Sequence, residues 1–453
     1  MSFLRRSLAW LLLTPSLLTA GEPRPLPAGF TAPALVARSG LGDGYRLPAN
    51  VRLTGDSTAL LDLRPDGRVG FLYADAASFP AKRSFGVWRG DAADGGTVLA
   101  LSRTFDDPPV RDVATRSDDL WLLSVDVIDP GAVLRRTALF ALDLAAQPPD
   151  AQPVLDASAG LFERAGLQID ERGVAAYQAL ILPPGPPLPG VTGWASVRDQ
   201  EETLHWTNLV IPAEPAARPE GGFGRPEFLG VPALVPARGG SNAVWLAGTA
   251  SWSDDAQRTA RASDAGEIVV LVENATADPT SPYASLSSRV AAGASGDITF
   301  VAQRTDGAFA LLRVDWNGAI TPLADDTDPQ IGALSLFTLS AVNVDGWTAF
   351  VAGEGGFPLG TVPAALYVDD GTTRVRVAQD GDLVSTDRGP ARICRGDDFT
   401  PAFPGPVAIN DAGAIAFVAR LCPAASNPSE IGPALGFGVF VAEPLPAAAR
   451  AKR

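Results

Sequence analysis

One phrase recurs along the chain and restricts its possible folds more than any other feature. Its clearest copies are Ala408-Ile-Asn-Asp-Ala-Gly-Ala-Ile-Ala-Phe-Val-Ala419, Ala341-Val-Asn-Val-Asp-Gly-Trp-Thr-Ala-Phe-Val-Ala352 and Ala291-Ala-Gly-Ala-Ser-Gly-Asp-Ile-Thr-Phe-Val-Ala302. Weaker copies are Leu63-Arg-Pro-Asp-Gly-Arg-Val-Gly-Phe71, Ala114-Thr-Arg-Ser-Asp-Asp-Leu-Trp-Leu-Leu123, Gln168-Ile-Asp-Glu-Arg-Gly-Val-Ala-Ala-Tyr-Gln-Ala179 and Pro236-Ala-Arg-Gly-Gly-Ser-Asn-Ala-Val-Trp-Leu-Ala247, so seven are visible. The Asp-Gly or Asp-x-Gly at its centre is turn chemistry, because Gly adopts positive φ freely and Asp bonds to its own backbone. Apolar, β-rich segments flank the turn, so each copy reads as a hairpin. A chain that writes one hairpin seven times is built from seven stacked units.

Two further apolar phrases follow each hairpin, for example Ala365-Leu-Tyr-Val368 and then Arg374-Val-Arg-Val377, which makes four strands per unit. Counted from the second strand, the units start near 69, 120, 173, 243, 297, 347 and 414. A four-stranded repeat of about 50 residues is the length of a propeller blade. The expectation is an all-β fold, a single seven-bladed β-propeller over 33–443, with no helix of ordinary length. Two intervals are long and carry Pro-bearing insertions, at 182–189 with 211–226 and at 382–406, which are expected to be loops. The last unit ends after Val439-Phe-Val-Ala442 without a fourth strand, while Ala34-Leu-Val-Ala-Arg-Ser-Gly-Leu-Gly-Asp43 reads like one. The N-terminal strand is therefore expected to complete the last blade and remove an exposed edge.

Residues 1–20 place Arg5 and Arg6 before an apolar run from Leu8 to Leu18 and end in Leu-Thr-Ala20, the layout of a secretory leader cleaved after Ala20. A tail over 21–32 precedes the propeller and another over 444–453 follows it. The expected location is periplasmic or secreted, and no other run approaches the roughly 20 apolar residues of a membrane span. The formal charge is −15, and loss of Arg5 and Arg6 leaves 34 basic against 51 acidic residues, a formal −17. Nucleic acid is an unsuitable partner for such a chain. A monomer is expected. One histidine, His205, and two cysteines, Cys394 and Cys422, exclude by count the metal sites that need two histidines or four Cys and His ligands. In an oxidising compartment the two cysteines are expected to form a disulfide stapling the second insertion, worth on the order of 3 kcal/mol.

Arg64-Pro-Asp-Gly-Arg-Val-Gly-Phe71, and still more Asn410-Asp-Ala-Gly-Ala-Ile-Ala-Phe417, resembles the repeat of the TolB-like bacterial propellers, in particular secreted propellers with Asn-Asp-x-Gly-x-Val-Ala-Phe blades. The resemblance covers nearly the whole chain after residue 20 and implies blade architecture rather than an activity. The amino-terminal domain that accompanies the propeller in TolB has no counterpart here.

No constellation reads as an active site. His205 stands beside Trp206 in an apolar strand phrase, where a structural role outweighs that of general base. Asp66, Asp170, Asp345 and Asp411 recur because the turn uses them, not as the paired carboxylates of a glycosidase. The candidate binding residues are the acids where fourth strands end: Asp43, Asp106, Asp107, Asp156, Asp278, Asp325, Asp326, Asp328, Asp380 and Asp382. If these loops share one face, their carboxylates suit a cationic peptide or calcium, although strand-ending turns use the same residues. No other cofactor is expected. The chain reads as a binding or scaffold module for a protein, peptide or glycan. The alternative is a carboxylate-based glycosidase or polysaccharide lyase acting at the central funnel.

Overall fold

The structure is a computed structural model that describes residues 24–40, 44–47, 51–53, 61–64, 67–75, 83–89, 97–100, 110–115, 120–127, 136–143, 150–155, 161–170, 172–181, 191–198, 200–207, 226, 228–236, 242–252, 254–293, 295–336, 338–353, 363–396, 401–425 and 435–445. The expected leader with its cleavage point, the insertion at 182–189, nearly all of 211–226, and Asp43, Asp66, Asp106, Asp107 and Asp156 lie outside these residues.

All regular structure among the described residues is β, in seven antiparallel sheets. Strand β1 (Ala34–Ser39) stands apart from those that follow it in the chain. The first sheet holds β2 (Val51–Leu53), β3 (Leu61–Leu63), β4 (Val69–Asp75), β5 (Arg83–Arg89) and β6 (Thr97–Ala100). The second holds β7 (Val110–Thr115), β8 (Leu120–Val127), β9 (Arg136–Asp143) and β10 (Asp150–Leu155). The third holds β11 (Leu161–Ile169), β12 (Ala175–Ile181), β13 (Val191–Arg198) and β14 (Glu201–Thr207). The fourth holds β15 (Phe228–Leu229), β16 (Ala233–Val235), β17 (Trp245–Ser251), β18 (Gln257–Ser263) and β19 (Ile268–Glu273). The fifth holds β20 (Tyr283–Leu286), β21 (Ala291–Ala292), β22 (Ile298–Arg304), β23 (Phe309–Val314) and β24 (Ile320–Asp325). The sixth holds β25 (Ser340–Val342), β26 (Thr348–Ala352), β27 (Ala365–Asp369) and β28 (Arg374–Gln379). The seventh holds β29 (Leu383–Thr386), β30 (Gly389–Ile393), β31 (Val407–Ile409), β32 (Ile415–Pro423) and β33 (Gly436–Ala442), and takes β1 as its outer strand, with Ala34 opposite Val441 and Ser39 opposite Phe437.

The first-strand segments β3, β7, β11, β16, β21, β25 and β31 each touch the next, and β31 touches β3, so consecutive sheets pack around a common axis as in a propeller. Sequence explains the gradation across each sheet. The second strand is a continuous apolar run because both its faces meet neighbouring sheets: β32 is buried from Ile415 to Cys422. Fourth strands such as β19 and β24 are more exposed, because they lie at the outer edge of their sheets. The cores lie between sheets. Trp347, Leu366, Ile393, Phe417 and Phe440 fill the gap between sixth and seventh, and Val36, Leu53, Val69, Val418 and Val439 the gap between seventh and first.

Two expectations need correction. The insertion at 382–406 is not a plain loop, since β29 and β30 form a hairpin that joins the seventh sheet beside β32. Pro390 is tolerated because it stands one residue ahead of Ala391, where β30 begins to pair with β32. Cys422 consequently lies inside β32, opposite Arg392, rather than beyond the strand. The chain ends also meet: Thr31 N–H donates to the Glu443 carbonyl at 2.8 Å and Leu445 N–H to that of Gly29 at 2.9 Å.

Candidate functional site

In each sheet the turns between strands one and two and between three and four lie at one end, while the other turns and the connections between sheets lie at the opposite end. At the first end, the repeated phrase has one geometry in five copies. The N–H of Gly67, Gly173, Gly296, Gly346 and Gly413 bonds the carbonyl three residues earlier, on Arg64, Asp170, Gly293, Asn343 and Asn410. All five glycines have φ between 77° and 87°, which is why the phrase keeps Gly there. In three of these copies the residue three before the glycine also caps the turn with its side chain. Asn343 Oδ1 accepts from the N–H groups of Asp345 and Trp347, and Asn410 Oδ1 from that of Ala414. Asp170 does the same for Arg172 and Val174.

Asp345 and Asp411, expected from the sequence to serve the turn, act between segments instead. Asp411 Oδ1 accepts from Val344 N–H in the neighbouring sheet's turn, and Asp345 holds Arg24. The asparagines also link sheets: Asn343 Nδ2 donates to the Asn410 carbonyl at 3.3 Å, and Asn410 Nδ2 to that of Arg64 at 2.7 Å. Neither role was visible in residue types alone; the constant offset from the glycine was the available signal.

At the other end lie the six described acids of the candidate site, in the connections after β19, β24 and β28. Asp278 accepts from the N–H and hydroxyl of Thr280, and these bonds hold its carboxyl below the ordinary range. Asp325, Asp326 and Asp328 share one connection. Burial works to raise the Asp325 carboxyl, but bonds from Thr327 and from Arg304, at 2.8 Å, outweigh it and hold the carboxyl low. Asp326 is pushed up, first by burial and further by the charges of Asp325 and Asp306. Asp328 accepts from Gln330 N–H and from Arg374 Nη1 at 3.1 Å. Asp380 meets Arg395 at 2.9 Å, and its burial raises its pKa against the pull of that arginine. Asp382 accepts from Gln379 N–H. The structure thus gathers Asp325, Asp326 and Asp328 with Arg304 and Arg374, and sets Asp380 and Asp382 in a second turn. Among the described residues, no group of three or more His, Cys, Asp or Glu is placed to hold a metal ion.

His205 is buried in β14, its Nε2 2.8 Å from Ser196 Oγ on the adjoining β13. Both side chains are buried. Cys394 and Cys422 form a disulfide with a Cα–Cα distance of 5.9 Å. At the turn of the β29–β30 hairpin, Asp387 grips Arg38 of β1 through two bonds of 2.8 Å, Nε to Oδ1 and Nη2 to Oδ2.

No protein-family profile matches the chain. No curated protein matches it either. Among solved structures it is similar to the β-propeller domain of the Trilobed protease from Pyrococcus furiosus, at 10% identity and a TM-score of 0.44, covering 83% of this chain and 99% of that one. It is also similar to prolyl oligopeptidase B from Galerina marginata, at 8% identity and a TM-score of 0.48, covering 88% of this chain and 52% of that one. A third is the GH74 xyloglucanase from Xanthomonas campestris, at 13% identity and a TM-score of 0.45, covering 92% of this chain and 54% of that one. Likeness at this level carries no argument about activity.

Proposed function

We propose that the chain is an exported seven-bladed β-propeller with TolB-like repeats, closed by its own N-terminal strand, and that it is a binding or scaffold module for a cationic protein or peptide. The reading is supported chiefly by the connection between β24 and β25, where Asp325 and Asp328 are already matched to guanidinium groups of this chain, Arg304 and Arg374, with Asp326 beside them. Carboxylates arranged so by short turns on a rigid sheet are suited to exchanging an internal cation for one on a partner. The chain's overall negative charge draws such a partner in.

The test is capture of an Arg-rich peptide by the full chain and by a variant with Asp325, Asp326 and Asp328 all changed to Asn. Loss of capture in the variant is the expected result, and unchanged capture overturns the reading. Melting with millimolar calcium and again with chelator separates a metal site from a peptide site, because a ligand of the native state alone raises the midpoint.

A further inference from the structure

At the opposite end of the sheets, Arg24 sits on the strand-one-to-two turns of the sixth and seventh sheets. Its Nε donates to Asp345 Oδ2 at 2.7 Å and its backbone N–H to Asp345 Oδ1 at 3.2 Å. Nη2 donates to the Asp411 carbonyl. The guanidinium carbon lies 5.3 Å from the centre of the Trp347 ring, and Trp347 Nε1 donates back to the Arg24 carbonyl at 2.9 Å. Four groups from two sheets therefore address one arginine: a carboxylate, an aromatic face, a carbonyl and an indole N–H. Leu26, two residues on, packs against the core between the same two sheets.

Three observations make this a site rather than an incidental contact. First, Asp345 is not needed by its own turn, which Asn343 closes, so its carboxylate is spare for the guanidinium. Second, Trp347 is fixed from below: a Cβ on Gly413 would lie 2.4 Å from the Trp347 ring, so only glycine lets the seventh sheet's turn approach it. Third, the occupant is weakly committed. The Arg24 side chain is 50% exposed, and an exposed ion pair contributes little to stability. The residues after it, Pro25-Leu26-Pro27, favour an extended chain that costs little entropy to bind.

We infer that Asp345, Trp347 and the Asp411 carbonyl form a recognition site for an arginine followed by proline in an extended peptide, and that Arg24 occupies it in cis. The seat selects arginine over lysine, because only a planar fork can lie on the indole while sharing the carboxylate and the carbonyl. The inference is independent of the acidic connections above, which lie at the other end of the sheets.

The test uses the full chain and the peptide acetyl-Arg-Pro-Leu-Pro-amide, with binding read by calorimetry. The wild type binds weakly because its own segment competes at high effective concentration. Arg24→Ala empties the seat and is expected to bind at least about tenfold more tightly, by removal of that competitor. Adding Asp345→Asn to Arg24→Ala is expected to return binding to background, and the Lys-Pro-Leu-Pro peptide to bind several-fold more weakly than the Arg form. Should Arg24→Ala fail to fold, Arg24→Lys, which keeps the charge and loses the fork, takes its place. Equal affinity of the single and double variants, or no binding to either while both stay folded, overturns the inference and leaves Arg24 as a structural latch.

Discussion

Asn410 uses one side chain for two tasks: its oxygen closes its own turn at Ala414, and its amide nitrogen reaches the Arg64 carbonyl of the first sheet. It is buried, so Asn410→Ala removes the acceptor of the Ala414 N–H and leaves the Arg64 carbonyl with the Gly67 N–H but without the amide. The expected loss is about 2–3 kcal/mol in denaturant unfolding. Asn410→Asp retains the turn acceptor and lacks the donor, and is expected to fall between wild type and Ala. An Ala variant as stable as the wild type would show that water replaces both bonds. The glycine of this motif was legible in the sequence because positive φ leaves a mark on residue choice. The capping residue was not, because Asn and Asp share a shape and both occur within the phrase. What separates Asn343 from Asp345 is register to Gly346, and what Asp345 does instead depends on Arg24, which is remote in sequence.

The hairpin of β29 and β30 was missed for a related reason. Pro390 argues against a strand in isolation, and only the registers with β29 and β32 show why the ladder accepts it. The hairpin carries two devices that fix β1. One is the Arg38–Asp387 pair, in which the arginine's bonds hold the Asp387 carboxyl below its ordinary range. A depressed native pKa stabilises the fold above the unfolded-state value, near 4, and that stability is lost as pH falls through the lower native value. Asp387→Asn is therefore expected to flatten the acid limb of a stability profile below about pH 4. An acid limb identical to that of the wild type would show that the pair does not stabilise the fold. The other device is the disulfide between Cys394 and Cys422, whose pairing was readable from a count of two cysteines. Replacing both by Ser is expected to cost about 3 kcal/mol for a closed loop of 28 residues' separation. Urea midpoints that coincide with and without reductant would contradict this.

Across the whole molecule, the described residues form seven sheets, and β1 pairs with β33 at the unit whose sequence lacked a fourth strand; both were legible because the period of a hairpin repeat is a property of sequence. The ties between sheets were not legible, because they run from side chains to backbone carbonyls. Arg261 Nη2 reaches the carbonyls of Asp315 and Trp316, and Arg313 Nη1 those of Gly346 and Asp370. Such ties mean that each sheet is supported by its neighbours, so a break at one junction weakens the whole ring. The most severe break is removal of β1. Deleting residues up to 40 exposes the edge of β33, removes Val36 and Ala37 from the core shared with the first sheet, and strips Asp387 of Arg38. A loss of about 5 kcal/mol in a chain of this size lowers the melting midpoint by about 6 °C. A deletion ending at residue 23 keeps β1 and its partners and is expected to leave the midpoint unmoved. If the two truncations melt together, the N-terminal strand does not hold the ring closed; a gap of about 6 °C between them assigns the closure to β1.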